Sequence, residues 1–358
     1  MCRLVLVTGA AGYIGSHCVL NLLSNNYEVV VIDNSSTSAL INGQQLPESL
    51  RRVELLANNC VKEFIFGDLC NSDVINKMFK KYRFDAVVHL ADLKNITESI
   101  EQPLDYYRNN MISIINLLDA MKRFEVFNLI FASSAVVYGK PKYLPLDELH
   151  PTGQSLTSSY AKSLYMTEQI LQDLCTTDPK WTVVSLRMFN VVGAHNSADI
   201  GEHTTGVPKN LMPYITQVAN EGRPELRVYG SDYDTPDGTG IRDYIHVEDV
   251  CDLILKALNK IISDNWSQWY AFNVANGSGH SVLEIIDIFE KKLAQKIPYV
   301  LVDRRPGDIG HSLADISLSK QIFNWEPKRD IHLMCESAMN WQKKHINGFD
   351  CIHQNVNQ

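Results

Sequence analysis

A doubly wound α/β fold, with a parallel sheet covered by helices on both faces, is what this 358-residue sequence predicts. Three observations carry that expectation. Short apolar runs recur through about residue 187, separated by stretches with helical periodicity. The connections between the runs are long enough to hold crossover helices, as neighbouring parallel strands require. The first run also leads directly into a glycine-rich turn and an amphipathic helix.

The elements follow in order. A strand over 3–8 contains Leu4-Val5-Leu6-Val7 and ends in Thr8-Gly9-Ala10-Ala11-Gly12-Tyr13-Ile14-Gly15. A helix over 13–25 leads to a second strand over 28–33, whose apolar run Val29 to Ile32 closes on Asp33. Glycines spaced three apart let the backbone turn tightly and approach a ligand, and the amides at a helix N-terminus favour a pyrophosphate. Asp33 follows at about the twenty-residue interval at which an acid reaches the ribose hydroxyls of a dinucleotide. The bland alternative is a glycine turn without a ligand. A polar loop at 34–47 is followed by a helix over 48–58 and a strand over 62–67. A helix over 72–82, a strand over 85–91 and a helix over 105–123 come next. A strand over 128–134, a helix over 158–175 and a strand over 182–187 complete the alternation.

From about 190 the pattern breaks. Residues 190–245 are rich in Gly, Pro and Asp, with one clear helix near 207–221, which suits a smaller C-terminal α/β substrate lobe. The expected division gives 1–189 to a dinucleotide-binding domain to which later segments return. It gives 190–345 mainly to the substrate lobe and 346–358 to a tail.

Composition bounds the function. A hydrophobic content of 45% and a charged content of 21% describe an ordinary globular protein. A net charge of −8 argues against nucleic-acid or anionic-membrane partners. No apolar run approaches the ~18–20 residues that span a bilayer, and the N-terminus lacks the signature of a secretory signal. The eight cysteines are scattered, with no Cys-x-x-Cys and no neighbouring His, so no zinc site is expected. They read as reduced thiols of a cytosolic protein.

Further strand ends carry polar groups where a ligand of such a sheet lies. Asp68 in Gly67-Asp68-Leu69 is placed to accept from an adenine amino group, and Lys94 to meet a phosphate. The strand over 128–134 ends in Ser133-Ser134, and Tyr160 follows on a helix. This is the Ser–Tyr arrangement of the short-chain dehydrogenase/reductase superfamily, whose sheet is of Rossmann type.

At closer range the chain resembles the UDP-glucose 4-epimerase (UDP-galactose 4-epimerase) family over nearly its full length. The matching runs include Thr8 to His17, Glu101 to Tyr107, Tyr143 to Gly153, Asn210 to Tyr214, Gly238 to Val247, Gly193-Ala194-His195 and Arg304 to Asp308. The resemblance implies a tightly held NAD that takes a hydride from C4 of a UDP-hexose and returns it to the other face of the 4-keto sugar. It implies Tyr160 as the base toward the 4-hydroxyl and Ser134 as its hydrogen-bonding relay. NAD would contact Gly9, Gly12, Tyr13, Ile14, Gly15, Asp33, Asn34, Asp68, Leu69, Lys94 and Asn110. The UDP moiety would contact Asn190, Asn210, Arg242, Arg305 and Asp308, and Ser312 would sit beside the hexose, small enough to admit UDP-N-acetylhexosamines. A homodimer built on the helices over 105–123 and 158–175 is also implied. Each residue keeps an ordinary alternative. Asp33 and Asp68 suit turns, Ser134 a strand-end cap, Tyr160 a core aromatic, and Arg242 and Arg305 surface ion pairs.

The match breaks near the chemistry. The superfamily pattern Tyr-x-x-x-Lys is here Tyr160-Ala161-Lys162-Ser163-Leu164. Lys162 lies ~200° around the helix from Tyr160, so it does not replace the lysine, which binds the nicotinamide ribose and lowers the tyrosine pKa. A phenol with an ordinary pKa of ~10 is ionised in only about one molecule in a thousand at neutrality, so activity limited by Tyr160 should climb with pH. Asp92 stands where the family has glycine, and it either pairs with Lys94 or a ribose hydroxyl or repels the pyrophosphate. Val136, Met188 and Lys209 are further departures around the cleft. Two readings stand: a working, slow UDP-hexose 4-epimerase, and an epimerase-like protein that binds NAD or a UDP-sugar without turnover.

Overall fold

Alternation along the first strands decides the layering. Val5 and Val7 face one buried apolar cluster while Leu6 faces another, and Val29 and Val31 are likewise opposed to Val30 and Ile32. A strand buried on both faces needs a helical layer on each side. The computed structural model describes residues 3–36, 45–204, 206–264, 266–305 and 307–350. Parts of the loop expected at 34–47 and of the tail expected at 346–358 lie outside these described residues.

The first half runs β1 (Leu4–Thr8), α1 (Tyr13–Ser24), β2 (Glu28–Asp33), α2 (Glu48–Ala57), β3 (Glu63–Phe66), α3 (Ser72–Lys81) and β4 (Ala86–His89). It continues through α4 (Ile96–Glu101), α5 (Pro103–Arg123), β5 (Asn128–Ser134), α6 (Ser159–Thr177) and β6 (Thr182–Met188). The expected strands and helices all appear, with bounds moved by a few residues. The additions are a single 3-10 turn over Ala135–Tyr138 and α4, a short helix capped by the Asn95 side chain, which accepts from the Glu98 amide. Six residues are too few to show a helical period in sequence.

The later chain runs β7 (Asn190–Val192), α7 (Leu211–Ala219), β8 (Leu226–Tyr229), β9 (Ile241–His246), α8 (Val247–Ser263), β10 (Gln268–Val274) and β11 (Gly279–Ser281). It ends in α9 (Val282–Leu293), β12 (Tyr299–Val302), β13 (His311–Ser312), α10 (Ser317–Phe323) and α11 (Ile331–Lys344). The main sheet has seven strands in the order β3-β2-β1-β4-β5-β6-β10, and every pair is parallel. The order reverses between β1 and β4, whose ends pair as Thr8 with His89. Ligands of open α/β sheets lie at such a reversal, beyond the carboxyl ends of the strands.

Two returns bind the later chain to this sheet. β10 adds the seventh strand beside β6, and α8 packs its buried Val250, Leu253, Ile254 and Ala257 into the cluster that holds α1. The remaining strands form a smaller sheet, in which β9 pairs with β7, β11 and β13, and a β8–β12 pair. A separate apolar cluster of α7, α9 and α11 supports them.

Candidate active site

The β1–α1 turn is shaped by its glycines. Gly9 has φ +66°, and a Cβ on it would lie 2.8 Å from the backbone of Ala91 after β4. A Cβ on Gly15 would run into the carbonyl oxygen of Gly9, so strand and helix meet here with no room for a side chain. Gly12 is different: it is the N-cap of α1 with no side-chain cap, and a Cβ there would meet only the Gly9 oxygen, at 3.3 Å. The first turn of α1 carries no acidic residue, so its amides and the positive end of its dipole face the cleft uncompensated. Asp33, at the end of β2, accepts from the amides of Ala11 (2.9 Å) and Ser35 (2.7 Å), which ties the turn to the second strand. Burial raises the Asp33 pKa against the pull of these two amides. The construction fits a dinucleotide: an uncapped helix end for the pyrophosphate and a carboxylate alongside it.

The other proposed cofactor residues surround this turn. Tyr13 and Ile14 open α1, and the Tyr13 hydroxyl donates to the Gly193 carbonyl at 2.6 Å. Asn34 and Asp68 lie exposed beyond β2 and β3, with Leu69 buried beneath them. Lys94 stands 5.8 Å from the Tyr13 ring centroid and 3.7 Å from Glu202. Asn110, buried on α5, accepts from the Leu93 amide (2.9 Å) and donates to the Leu93 carbonyl (3.1 Å). That two-way clamp fixes the segment that presents Asp92 and Lys94.

The hydroxyl pair sits next to it. Ser134 ends β5, accepting from the Val136 amide at 3.4 Å. Tyr160 opens α6, whose N-cap Ser158 accepts from Ala161. It is 8% exposed, and its pKa is driven far above the ordinary phenol range, first by burial and then by the Asp92 carboxylate. The Asp92 carboxylate thus faces the phenol through its charge. None of the sequence alternatives for Asp92 included Tyr160; Lys94 acts on Asp92 through its charge. Burial raises the Asp92 pKa to about 6, and the Lys94 charge holds it from rising further. Leu164, 2% exposed, lies along one small cleft with Asp92, Asn110 and Thr167, while Lys162 points to solvent as the helical spacing predicts. Met188 lies opposite Ser134 in the sheet register, and Val136 packs against the adjoining core.

The proposed UDP residues come together on the smaller lobe. Arg242 on β9 pairs with Asp308 and donates to the Ile309 carbonyl at 2.7 Å. Ser312 on β13 is the register partner of Arg242, and Asn190 on β7 pairs with Tyr244 two residues along β9. Arg305 stacks on the Tyr229 ring at 3.8 Å and donates to the Lys209 carbonyl at 3.2 Å, beside Asn210. Asn210 donates to Glu202 at 3.0 Å, and Glu202 also faces Lys94. Glu202 thus links the two halves of the cleft, and Tyr229 seats Arg305. Neither was singled out from the sequence, because an isolated acid or tyrosine in a loop-rich region carries no spacing signal.

The model of the NAD dependent epimerase/dehydratase family matches residues 5–275. The human UDP-glucose 4-epimerase is 48% identical over 349 residues, covering 98% of this chain and 99% of that one. The Drosophila melanogaster UDP-glucose 4-epimerase is 47% identical over 345 residues, covering 96% of this chain and 98% of that one. The crystal structure of UDP-glucose 4-epimerase from Bifidobacterium longum, in complex with NAD+ and UDP, superposes with a TM-score of 0.90 at 42% identity, covering 97% of this chain and 100% of that one. The chain therefore belongs to the NAD dependent epimerase/dehydratase family, among its UDP-glucose 4-epimerases.

Proposed function

We propose that this chain interconverts UDP-galactose and UDP-glucose by inverting C4 of the hexose, with NAD as resident cofactor. The observation that carries the reading is the Ser134 hydroxyl at the end of β5 and the buried Tyr160 phenol at the start of α6, with an uncapped glycine turn at the sheet reversal. Gly9, Gly12, Tyr13, Ile14, Gly15, Asp33, Asn34, Asp68, Leu69 and Lys94 hold the cofactor, and Asn110 supports it by fixing the Leu93 backbone. When bound, NAD supplies the hydride acceptor and donor. The Asp33 carboxylate selects it over NADP by repelling a 2′-phosphate.

The chain's own residues hold the sugar nucleotide and move the proton. Arg242 and Arg305 offer forked donors to the diphosphate. Asn190, Asn210 and Asp308 meet the uridine end, and Ser312 borders the hexose with room for a 2-acetamido group, so UDP-N-acetylhexosamines are accepted as well. Tyr160 exchanges a proton with the 4-oxygen, and Ser134 holds that oxygen and the phenol in line.

Exposed Ile112 and Ile115 on α5 and Met166 on α6 support a homodimer formed through these helices. Free thiols at Cys18, Cys60, Cys70, Cys175, Cys251 and Cys335 support a cytosolic setting. No helix among the described residues is long and apolar enough to cross a membrane.

The test is a coupled assay of UDP-galactose to UDP-glucose conversion, together with identification of the nucleotide released on denaturation. Turnover with NAD released is expected, and Tyr160→Phe should lose about 10²–10⁴ in rate while keeping its NAD. Released NADP, or undiminished activity in Tyr160→Phe, would overturn the assignment.

A further inference from the structure

We infer, resting on the epimerase reading above, that the buried ion pair of Glu168 and Arg187 is a positioning device for the reaction, fixing Ser134 against the helix that carries Tyr160. Glu168 lies on α6 about two turns beyond Tyr160, and Arg187 lies on β6. The guanidinium donates to both carboxylate oxygens, from Nε to Oε1 at 3.1 Å and from Nη2 to Oε2 at 2.8 Å. Both side chains are almost wholly out of water, at 4% exposure for Arg187 and 1% for Glu168.

The pair brackets Ser134. Ser133, just before it on β5, donates its hydroxyl to Glu168 Oε1 at 2.6 Å. Tyr138, at the end of the 3-10 turn that follows Ser134, accepts from Arg187 Nη1 at 3.1 Å. The Tyr138 hydroxyl gives its own hydrogen to Asn273 on β10 at 2.6 Å, and the guanidinium lies 4.9 Å from the Tyr138 ring centroid. Ser133 also stands opposite Arg187 in the β5–β6 register. Ser134 therefore sits on a short stretch of chain held on both sides by one pair, and the carboxylate half of that pair is rooted in the helix of Tyr160. This stretch cannot slide along α6 without breaking a charge-assisted hydrogen bond.

Stability alone does not account for the pair. Burying two charges costs more than their attraction returns unless the geometry is excellent, and an apolar pair of like volume often gives a core at least as stable. What an apolar pair cannot supply is direction, because a forked hydrogen bond fixes angle as well as distance. Direction matters here, since a misplacement of about 1 Å caused by a change far from the chemistry can cost about 10²-fold in rate. Glu168 and Arg187 touch neither sugar nor cofactor in this assignment. They are positioning residues that act through Ser134 and the placement of α6.

The experiment measures kcat and KM for UDP-galactose on the NAD-loaded protein, beside its melting temperature and NAD content. Glu168→Gln leaves the Arg187 charge buried without its partner and is expected to fold poorly. The informative variant removes both charges, Glu168→Met with Arg187→Met. That protein should melt near or above the parent and keep its NAD and its KM, with kcat about 10²-fold lower. Two smaller changes each cut one hydrogen bond beside Ser134. Ser133→Ala and Tyr138→Phe should melt close to the parent and lower kcat several-fold at unchanged KM. Ser133→Thr, which keeps the hydroxyl, should recover most of the rate. A folded, NAD-loaded double variant with the parent's kcat would overturn the positioning role. So would rate losses that follow melting or NAD loss in every variant. Should the double variant fail to fold, the two single changes decide, and the parent's kcat in both would overturn the role. A parent that holds NAD and UDP yet does not interconvert the sugars would instead overturn the epimerase reading, and the positioning role with it.

Discussion

The phosphate end and the reacting end of the cleft are built from different materials. At the phosphate end the site is shaped by backbone: Gly9 takes φ +66°, α1 begins without a side-chain cap, and Asp33 ties down the Ala11 amide. At the reacting end the chemistry is proposed to rest on side chains from separate segments: Ser134 from β5 and Tyr160 from α6, with the Asp92 charge from the loop after β4 acting on the phenol. A backbone device admits few residues at each position, so it keeps its form as the rest of the chain varies. A side-chain device can exchange one charge for another as long as the proton still has somewhere to go. Leu164 and Asp92 sit along the same cleft, so the two departures from the family pattern are one local rearrangement.

The largest expected effect breaks the phosphate end in two distinguishable ways. Gly15→Ala sets a Cβ against the Gly9 carbonyl oxygen, which forces strand and helix apart at a cost of about 1–3 kcal/mol or more. Its melting temperature should drop and its NAD should be lost. Gly12→Ala meets that oxygen at 3.3 Å and can stay in place, so it should melt close to the parent yet release its NAD, because the methyl occupies ligand space. Thermal melting and the nucleotide content of each purified variant check this. Equal melting losses in the two would show that both glycines serve packing alone.

A second prediction sharpens the contrast at the reacting end, where a charge is held away from water. Burial lifts the Asp92 pKa to about 6, above the ~3.9 of an unfolded chain. A group raised in this way contributes its stability below the unfolded pKa and loses it as pH climbs through the folded value. At pH 7 the buried carboxylate therefore costs up to about 3 kcal/mol, a two-unit shift converted at about 1.4 kcal/mol per unit. Asp92→Asn is close in shape and carries no charge. It should be more stable than the parent at pH 7, with the advantage disappearing toward pH 4. Urea unfolding at both pH values measures it; a variant equally or less stable at pH 7 would mean that Lys94 already compensates the charge.

How much of this was legible in the sequence follows the same division. β1 to β6 and the main helices stood out because Val5, Val7, Val29 and Val31 alternate with Leu6, Val30 and Ile32, and because long crossovers separate the runs. The glycine turn was legible because Gly9 and Gly15 occupy positions that a side chain cannot. The short α4 was not, because six residues show no helical period, nor was the return of β10 to the edge beside β6, because that pairing crosses the intervening smaller lobe and leaves no local signal. Asp92 was visible as an oddity, but its partner was hidden: all of α5 and β5 lie between it and Tyr160, and only the fold brings them together. Glu202 between Lys94 and Asn210 was hidden for the same reason.

The smallest expected effect concerns the sugar pocket, where the two ends meet. Ser312 is 7% exposed on β13, in register with the Arg242 proposed to hold the diphosphate, so its side chain lies one strand step from the hexose position. The protein around it leaves little volume, and a larger residue must extend into the cleft. Ser312→Tyr should therefore leave the affinity for UDP-glucose within a few fold and weaken UDP-N-acetylglucosamine, whose 2-acetamido group needs that space, by about 10–200-fold, the range a pocket achieves by shape alone. Calorimetric titration of both nucleotides into the NAD-loaded variant measures the ratio. Loss of both affinities together would point to overpacking around Arg242, and an unchanged ratio would place the sugar away from β13.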